Sequence, residues 1–288
     1  MAILLAAGLF AGCSDGQSGG ASTSPAASVI GTTNTLVAQE ELKPVDNSSH
    51  KPGFQLEPPQ EGEEIAVITL KSGEEFKLRF FPDEATKAVY NFKMHALNGY
   101  FDGLTFHRII QNFMIQGGDP SGDGSGGESI WKEDFADEFS AKLLNLDGAV
   151  SMANRGPGTN GSQFFINNTQ SPVKDWSNYE EGFKVYKQSP ESFLASYSTW
   201  PDMDKMNQDI RKLYEENGGN PNLDGYYSVS QRGHTVFAQV FEGMEDVTKI
   251  SQVETNENDK PLTDVVIEKV EIVIYGSGAS ESSSAASK

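Results

Sequence analysis

The sequence predicts a mainly β fold: a closed antiparallel barrel capped by two α-helices, with a partly helical insertion. Three observations predict it. Short apolar or alternating runs recur between residues 65 and 275, separated by glycine-rich turns. Two segments repeat apolar residues at helical spacing, one early and one late in that span. Residues 170–230 break the rhythm with a long polar excursion. Many short strands and few helices are the pattern of a barrel that removes its own sheet edges.

The elements follow in chain order. Residues 65–70 form an uninterrupted apolar run of strand length, and Ser72 with Gly73 marks a turn. Phe76, Leu78 and Phe80 then alternate with Glu75, Lys77 and Arg79, so one face of a second strand is apolar. Pro82, Asp83 and Glu84 signal a helix start; Ala85, Val89, Phe92 and Ala96 share one helical face, and Asn98-Gly99 ends it. Further strand-like runs lie at 104–110, 112–116, 148–153, 163–166 and 237–240. Met244, Val247, Ile250 and Val253 predict the second capping helix, and 265–275 alternates again as the last strand. Within the excursion, Met203, Met206, Ile210 and Leu213 predict an amphipathic helix over 202–217, stopped by Gly218 and Gly219. An excursion of that length with its own helix reads as an inserted subdomain.

The ends have a different composition. Residues 2–12 are uncharged and mostly apolar, too short to span a bilayer, and are followed by Cys13, the only cysteine. Ala11 and Gly12 directly before it resemble a bacterial lipoprotein signal, in which the cysteine becomes the lipidated N-terminus. That resemblance makes 1–13 a signal peptide with its lipidation cysteine, Cys13. Because no Lys or Arg precedes the apolar run, the start codon is expected upstream. Residues 14–63 hold seven acids against two lysines and few apolar side chains, so they read as a disordered tether. Such a chain reaches roughly 40 Å on average. Residues 276–288 read as a flexible tail, which leaves 64–275 as the folded body.

Charge and composition exclude several functions. The chain of 288 residues carries a net charge of −19, which opposes binding to nucleic acid or to anionic lipid headgroups. A single cysteine forms no internal disulfide, and no Cys/His cluster calls for a metal; no organic cofactor is called for either. Gly122, Gly124 and Gly127 match a dinucleotide-binding spacing with Asp147 beyond, but no strand–helix–strand unit surrounds them, so they are read as turn glycines. Glu133, Asp134, Asp137 and Glu138 are read as a solvated acidic face rather than catalytic carboxylates.

Two segments carry the specific signal. One holds Phe106-His107-Arg108 followed by Phe113-Met114-Ile115-Gln116-Gly117-Gly118-Asp119. The other holds Ser151-Met152-Ala153-Asn154 followed by Asn160-Gly161-Ser162-Gln163-Phe164-Phe165-Ile166. Together they closely resemble the cyclophilin family of peptidyl-prolyl cis–trans isomerases, and the likeness continues at Gly233-His234 and Gly243-Met244. It spans 64–275 apart from the insertion. The resemblance implies an eight-stranded antiparallel barrel with two capping helices, acting on X–Pro bonds without a cofactor.

The chemistry follows from the residues as well. An amide resists rotation through a barrier of about 18–20 kcal/mol because its C–N bond is partly double. A fixed cationic donor aimed at the proline nitrogen favours the twisted amide, in which that nitrogen regains its lone pair. Arginine is always charged and rigidly forked. The resemblance makes Arg108 this guanidinium, held by Gln116. It gives Phe113, Met114 and Phe165 the proline pocket, Ala153 and Asn154 the backbone edge for the peptide, Gln163 a substrate contact and His234 the far wall. His107 precedes Arg108 and is read as a structural, hydrogen-bonded histidine on the opposite strand face. Counting back from His234 without gaps places Val229 and Ser230 where the family carries a rim aromatic and a leucine; Tyr226 and Tyr227 lie nearby. Cyclosporin, the family's inhibitor, is then expected to bind with weakened affinity. The expected protein is a monomeric folding helper for proline-containing segments of secreted or surface proteins, anchored by lipid on the extracytoplasmic face of the cell membrane. A second class stays open at this point: a cyclophilin-fold peptide-binding protein or adhesin that holds proline segments without turnover.

Overall fold

The computed structural model describes residues 36–44 and 49–276. The expected signal with Cys13 and most of the expected tail lie outside the described residues. Eight strands run antiparallel in one sheet: β1 (Glu64–Leu70), β2 (Glu75–Phe80), β3 (Arg108–Ile110), β4 (Met114–Gly117), β5 (Ala149–Met152), β6 (Phe164–Asn167), β7 (Val236–Glu242) and β8 (Ile267–Ile274). Their order is β3-β4-β6-β5-β7-β2-β1-β8. The sheet curls, but its ladder does not close as expected. Between the end strands, Thr105 and Val266 form only an isolated bridge. Around it Gly103 N–H donates to Ile267 O at 2.9 Å and Ile267 N–H to Leu104 O at 2.8 Å, but farther along the edge the donors turn to loop carbonyls, Phe106 N–H to Val265 O at 2.9 Å and Ile109 N–H to Asp259 O at 2.8 Å. The predicted strand over 104–110 accordingly shrinks to the three residues of β3.

Two helices flank the sheet where predicted, α1 (Thr86–Leu97) and, late in the chain, Met244–Ile250. Helix α1 drives Phe92 into the barrel, where its ring meets Phe80, Phe101, Phe164 and Phe237 at centroid distances of 4.9–5.8 Å. The first turn of α1 has no capping side chain of its own. Glu138 supplies it from afar: its carboxylate accepts from Lys87 N–H and Ala88 N–H at 2.9–3.0 Å. This carboxylate is buried, not part of the solvated acidic face expected, because the orphan amides of a helix start need an acceptor.

The insertion holds more helix than its polar composition suggests: α2 (Ser177–Gln188), α3 (Pro190–Ser196) and α4 (Gln208–Asn217), so the late capping helix is α5. Helix α4 starts six residues later than predicted, where Asn207 accepts from Ile210 N–H at 3.0 Å. Gly182 hides α2 from a sequence reading. A Cβ there would lie 2.3 Å from the Trp200 ring, so glycine marks close packing and not a break. Met203, Met206, Ile210 and Tyr214 bury themselves with Trp176, Phe183 and Tyr227 in a core separate from that of the barrel.

A polar network joins the two cores. Asp224 is buried and accepts from Asn145 backbone N–H and Nδ2 at 2.8 and 2.9 Å, and the Tyr214 hydroxyl donates to its other oxygen. Asn145 Oδ1 in turn accepts from Ser151 on β5 and Asn167 on β6. Burial pushes the Asp224 carboxyl up to about 6, against the hydrogen bonds from Tyr214 and Asn145 that favour its charge.

The described parts of 14–63 correct the expected tether. Residues 49–63 form a strap on the barrel. Phe54 is buried, stacked on His50 and edge-on to Phe81. Gln55 is wholly buried; its amide donates to Leu144 O and Gln239 Oε1 at 2.9 Å and accepts from Leu144 N–H at 2.7 Å. Arg79 of β2 reaches out to Glu57 O at 2.9 Å and grips Glu63 through two nitrogens at 2.9 and 3.0 Å. Further upstream, Val37 exchanges bonds with Tyr90 and Trp131 of the barrel. Average composition concealed these few well-placed side chains.

Two outcomes are expected. A chain beginning at residue 60 should be less stable than one beginning at 49 by about 3 kcal/mol or more, because it loses a buried phenylalanine and orphans Gln239 and Leu144. Equal urea midpoints would show that the strap contributes nothing. The second concerns pH. With a folded value near 6 and an ordinary one near 3.9, Asp224 keeps its proton in the folded chain only, so its stabilising contribution is full below about pH 4 and is lost as pH rises through 6. Asp224→Asn should abolish that component, on the order of 2–3 kcal/mol. Urea midpoints of parent and variant that keep a constant spacing from pH 4.5 to 7.5 would refute it.

Candidate active site

The site is one row of the sheet. Registers place Arg108 opposite Gln116 and Gln116 opposite Phe165 across β3, β4 and β6. The adjoining row, Ile109 opposite Ile115 opposite Ile166, is buried in the core. Side chains alternate along a strand, so burying the isoleucine row turns Arg108, Gln116 and Phe165 to the other face.

There they line a cavity of about 720 Å³. Phe113, Met114 and Phe165 are among its apolar lining, and Ala153, Asn154 and His234 line it as well. The His234 ring stands edge-on to Phe165, with centroids 5.1 Å apart at 87°. Its Nδ1 bonds Met152 O at 2.9 Å, and burial lowers its pKa, so the ring is neutral and donates from Nδ1. Asn154 spends its side-chain amide on Gly233 O at 2.9 Å. Gln163 stands in an adjoining smaller groove. It accepts from Gln116 Nε2 at 2.8 Å and donates to Gly124 O and Gly126 O at 3.0 and 2.7 Å. All nine residues expected around the substrate therefore lie in one continuous cleft.

Three expectations are corrected. Gln116 lies across the ladder from Arg108 but gives its amide to Gln163; the partner of the guanidinium is Asp259, with Nε and Oδ2 3.4 Å apart. His107 is buried, lines the same cavity, and neither ring nitrogen meets a hydrogen-bond partner among the described residues. Burial lowers its pKa, opposed by the charges of Asp119 and Asp123, so it is neutral. Thirdly, neither Val229 nor Ser230 reaches the cavity. Val229 packs against the insertion core, and Ser230 bonds Ser198 O at 3.0 Å. The wall beside His234 is Leu223, whose carbonyl accepts from His234 N–H at 2.9 Å. Tyr227 is buried with its hydroxyl on Ala141 O, and Tyr226 is exposed. The loop between Leu223 and His234 places Leu223, and not Val229 or Ser230, beside the histidine.

Sequence reasoning also missed Asn256, Asn258, Asp259 and Lys260, which close the cleft on the Arg108 side. The only signal for them was a polar run before Pro261, which reads as a loop and nothing more.

One face of the curled antiparallel sheet carries Phe113, Met114 and Phe165 in the same cavity as the Arg108 guanidinium. The chain belongs to the cyclophilin family: the family model described as cyclophilin type peptidyl-prolyl cis-trans isomerase/CLD matches residues 65–272. It is 44% identical over 210 residues to a candidate peptidyl-prolyl cis-trans isomerase of Staphylococcus haemolyticus, covering 72% of this chain and 90% of that protein. A Staphylococcus aureus relative, named in the same way, is 44% identical over 216 residues, covering 74% and 93%. Among solved structures, a Cryptosporidium parvum cyclophilin type peptidyl-prolyl cis-trans isomerase superposes with a TM-score of 0.51 at 25% identity, covering 73% of this chain and 97% of that one. The same isomerase has been crystallised in the presence of the dipeptide Ala-Pro. This chain is thus a cyclophilin-type peptidyl-prolyl cis-trans isomerase.

Proposed function

We propose that Arg108 is the catalytic cation and that the cleft acts on X–Pro bonds of unfolded or partly folded secreted and surface proteins. One observation carries the reading: the guanidinium lines the same cavity as Phe113, Met114 and Phe165. The proline ring enters among those three side chains, which exclude the water that would otherwise favour the charge-separated planar amide. As the bond twists, the nitrogen regains its lone pair and meets a donor already charged and already in place. Ala153 and Asn154 border the peptide on the other side, Gln163 contacts it, and Leu223 with His234 closes the end. Burial lowers the pKa of His107 and of His234, so the cations lining the cavity among the described residues are Arg108 and Lys260, and Lys260 directs its ammonium to Gly122 O. The crystallisation of the Cryptosporidium relative in the presence of the dipeptide Ala-Pro supports the choice of a proline peptide as ligand.

The isomerase body is taken as 49–275, with 170–230 as the insertion, and it acts as a monomer. The apolar run before Cys13 and the acidic stretch after it support a lipid-anchored protein on the extracytoplasmic face of the cell membrane. Cyclosporin is proposed to fit this cleft weakly, since Leu223 offers less contact area than an aromatic ring and no indole donor.

Arg108→Ala should lower kcat/KM by about 10²–10³, or about 2.7–4 kcal/mol, in a protease-coupled assay on a short Xaa-Pro peptide, with the fold intact. Turnover within about twofold of the parent would remove Arg108 from the mechanism. For the anchor, the mature protein should fractionate with membranes and carry lipid on Cys13, while Cys13→Ser should accumulate unprocessed. An unmodified Cys13 in mature protein, seen by mass spectrometry, would refute it. One acyl chain holds only weakly, so stable attachment implies more than one.

A further inference from the structure

We propose that Asp259 is a positioning residue for the reaction: its carboxylate holds Arg108 by Nε, leaving the two terminal nitrogens of the guanidinium for the substrate. The inference rests on the reading of Arg108 as the catalytic cation.

Three observations converge on it. Asp259 is the acidic partner of Arg108, Nε to Oδ2 at 3.4 Å, while Gln116 across the ladder is turned to Gln163. The loop carrying Asp259 is fastened to the strand that carries Arg108. Ile109 N–H donates to Asp259 O at 2.8 Å, and Asn256 Oδ1 accepts from the backbone N–H of Asn258 and of Lys260 at 2.9 and 3.1 Å. Lastly, Asp259 has φ +61°, the left-handed region that glycine occupies most easily. A side chain kept where glycine fits better points to a use for that side chain, and the carboxylate meets the guanidinium. Lys260 beside it directs its ammonium to Gly122 O at 3.3 Å, away from this pair.

The closest approach is an ion pair, Nε to Oδ2 at 3.4 Å, longer than the hydrogen bond that joins Gln116 to Gln163. An arginine on a three-residue edge strand samples many rotamers; an ion pair on the Nε side restricts them and leaves the Nη groups open to a ligand. The carboxylate therefore acts on the rate of the bound peptide more than on its binding.

The test is a double-mutant cycle on the full chain with a short Xaa-Pro peptide. Asp259→Gly relieves the backbone and deletes the carboxylate. It should lower kcat by about fivefold, the upper end for a half-exposed ion pair, with KM nearly unchanged and a urea midpoint equal to or above the parent's. Asp259→Asn keeps an acceptor and tolerates the same φ, and should fall between the two. In the Arg108→Ala background, Asp259→Gly should change nothing further. By NMR, the Arg108 Nε–H resonance, sharp in the parent, should broaden in Asp259→Gly. Turnover of Asp259→Gly equal to or above the parent's overturns the proposal. So does an equal loss in parent and Arg108→Ala backgrounds, which would mark a general structural effect. Full turnover in Arg108→Ala alone would instead strike the reading of Arg108, a separately visible failure.

Discussion

The site depends on one buried row of aliphatic side chains. Ile109, Ile115, Ile166 and Val150 stand opposite one another across β3, β4, β6 and β5, and all are buried. A slip of one residue on any of these strands would bring polar or site-lining residues to the interior, so the row is a strong constraint on register. The neighbouring row then has no choice of face: Arg108, Gln116 and Phe165 emerge together. Phe92 reinforces the same choice from inside. Its ring packs on Phe164, so Phe165 must point to the cleft. Hydrophobic burial thereby selects the face that lines the cleft.

Attachments to this barrel use polar groups where apolar packing alone would leave geometry loose. Gln55 of the strap and Asp224 of the insertion are both buried, and both reach backbone groups at residues 144 and 145. Buried polar groups carry a large desolvation cost unless fully bonded, which makes each seat specific for one arrangement. Gly219 permits the approach: with φ +114°, a Cβ there would lie 2.4 Å from Asn145 O. The insertion is thus seated on the barrel, and its last turn carries Leu223 to the cavity beside His234.

The chemistry needs little beyond shape and one charge. Rotation about an amide breaks no bond, so the protein has only to prefer the twisted form. Burial lowers the pKa of His107 and of His234, which leaves Arg108 and Lys260 as the cations lining the cavity among the described residues. Arg108 begins the three-residue edge strand β3, and the 256–260 loop lies beside it, with Asp259 paired to its guanidinium.

Much of this was legible in the residues alone. Alternation in 75–80 and 265–275, helical spacing in 85–98 and the two long motifs led to eight antiparallel strands, two flanking helices and the nine residues now seen in one cleft. Those features are local: a period or a motif carries them within a few residues. What only tertiary structure decided is of another kind. Whether the ladder closes depended on which backbone donors found loop carbonyls instead. The strap was hidden because disorder was inferred from average composition, while its order rests on Phe54 and Gln55 finding particular seats. Gly182 lies within α2, where a Cβ would lie 2.3 Å from the Trp200 ring, a close approach that no local pattern records. Leu223 and Asp259 reach the site from loops, at sequence separations from Arg108 that no periodicity records. Local spacing encodes which face of an element is apolar; pairing between distant segments is fixed only when they compete for the same buried space and the same hydrogen-bonding groups.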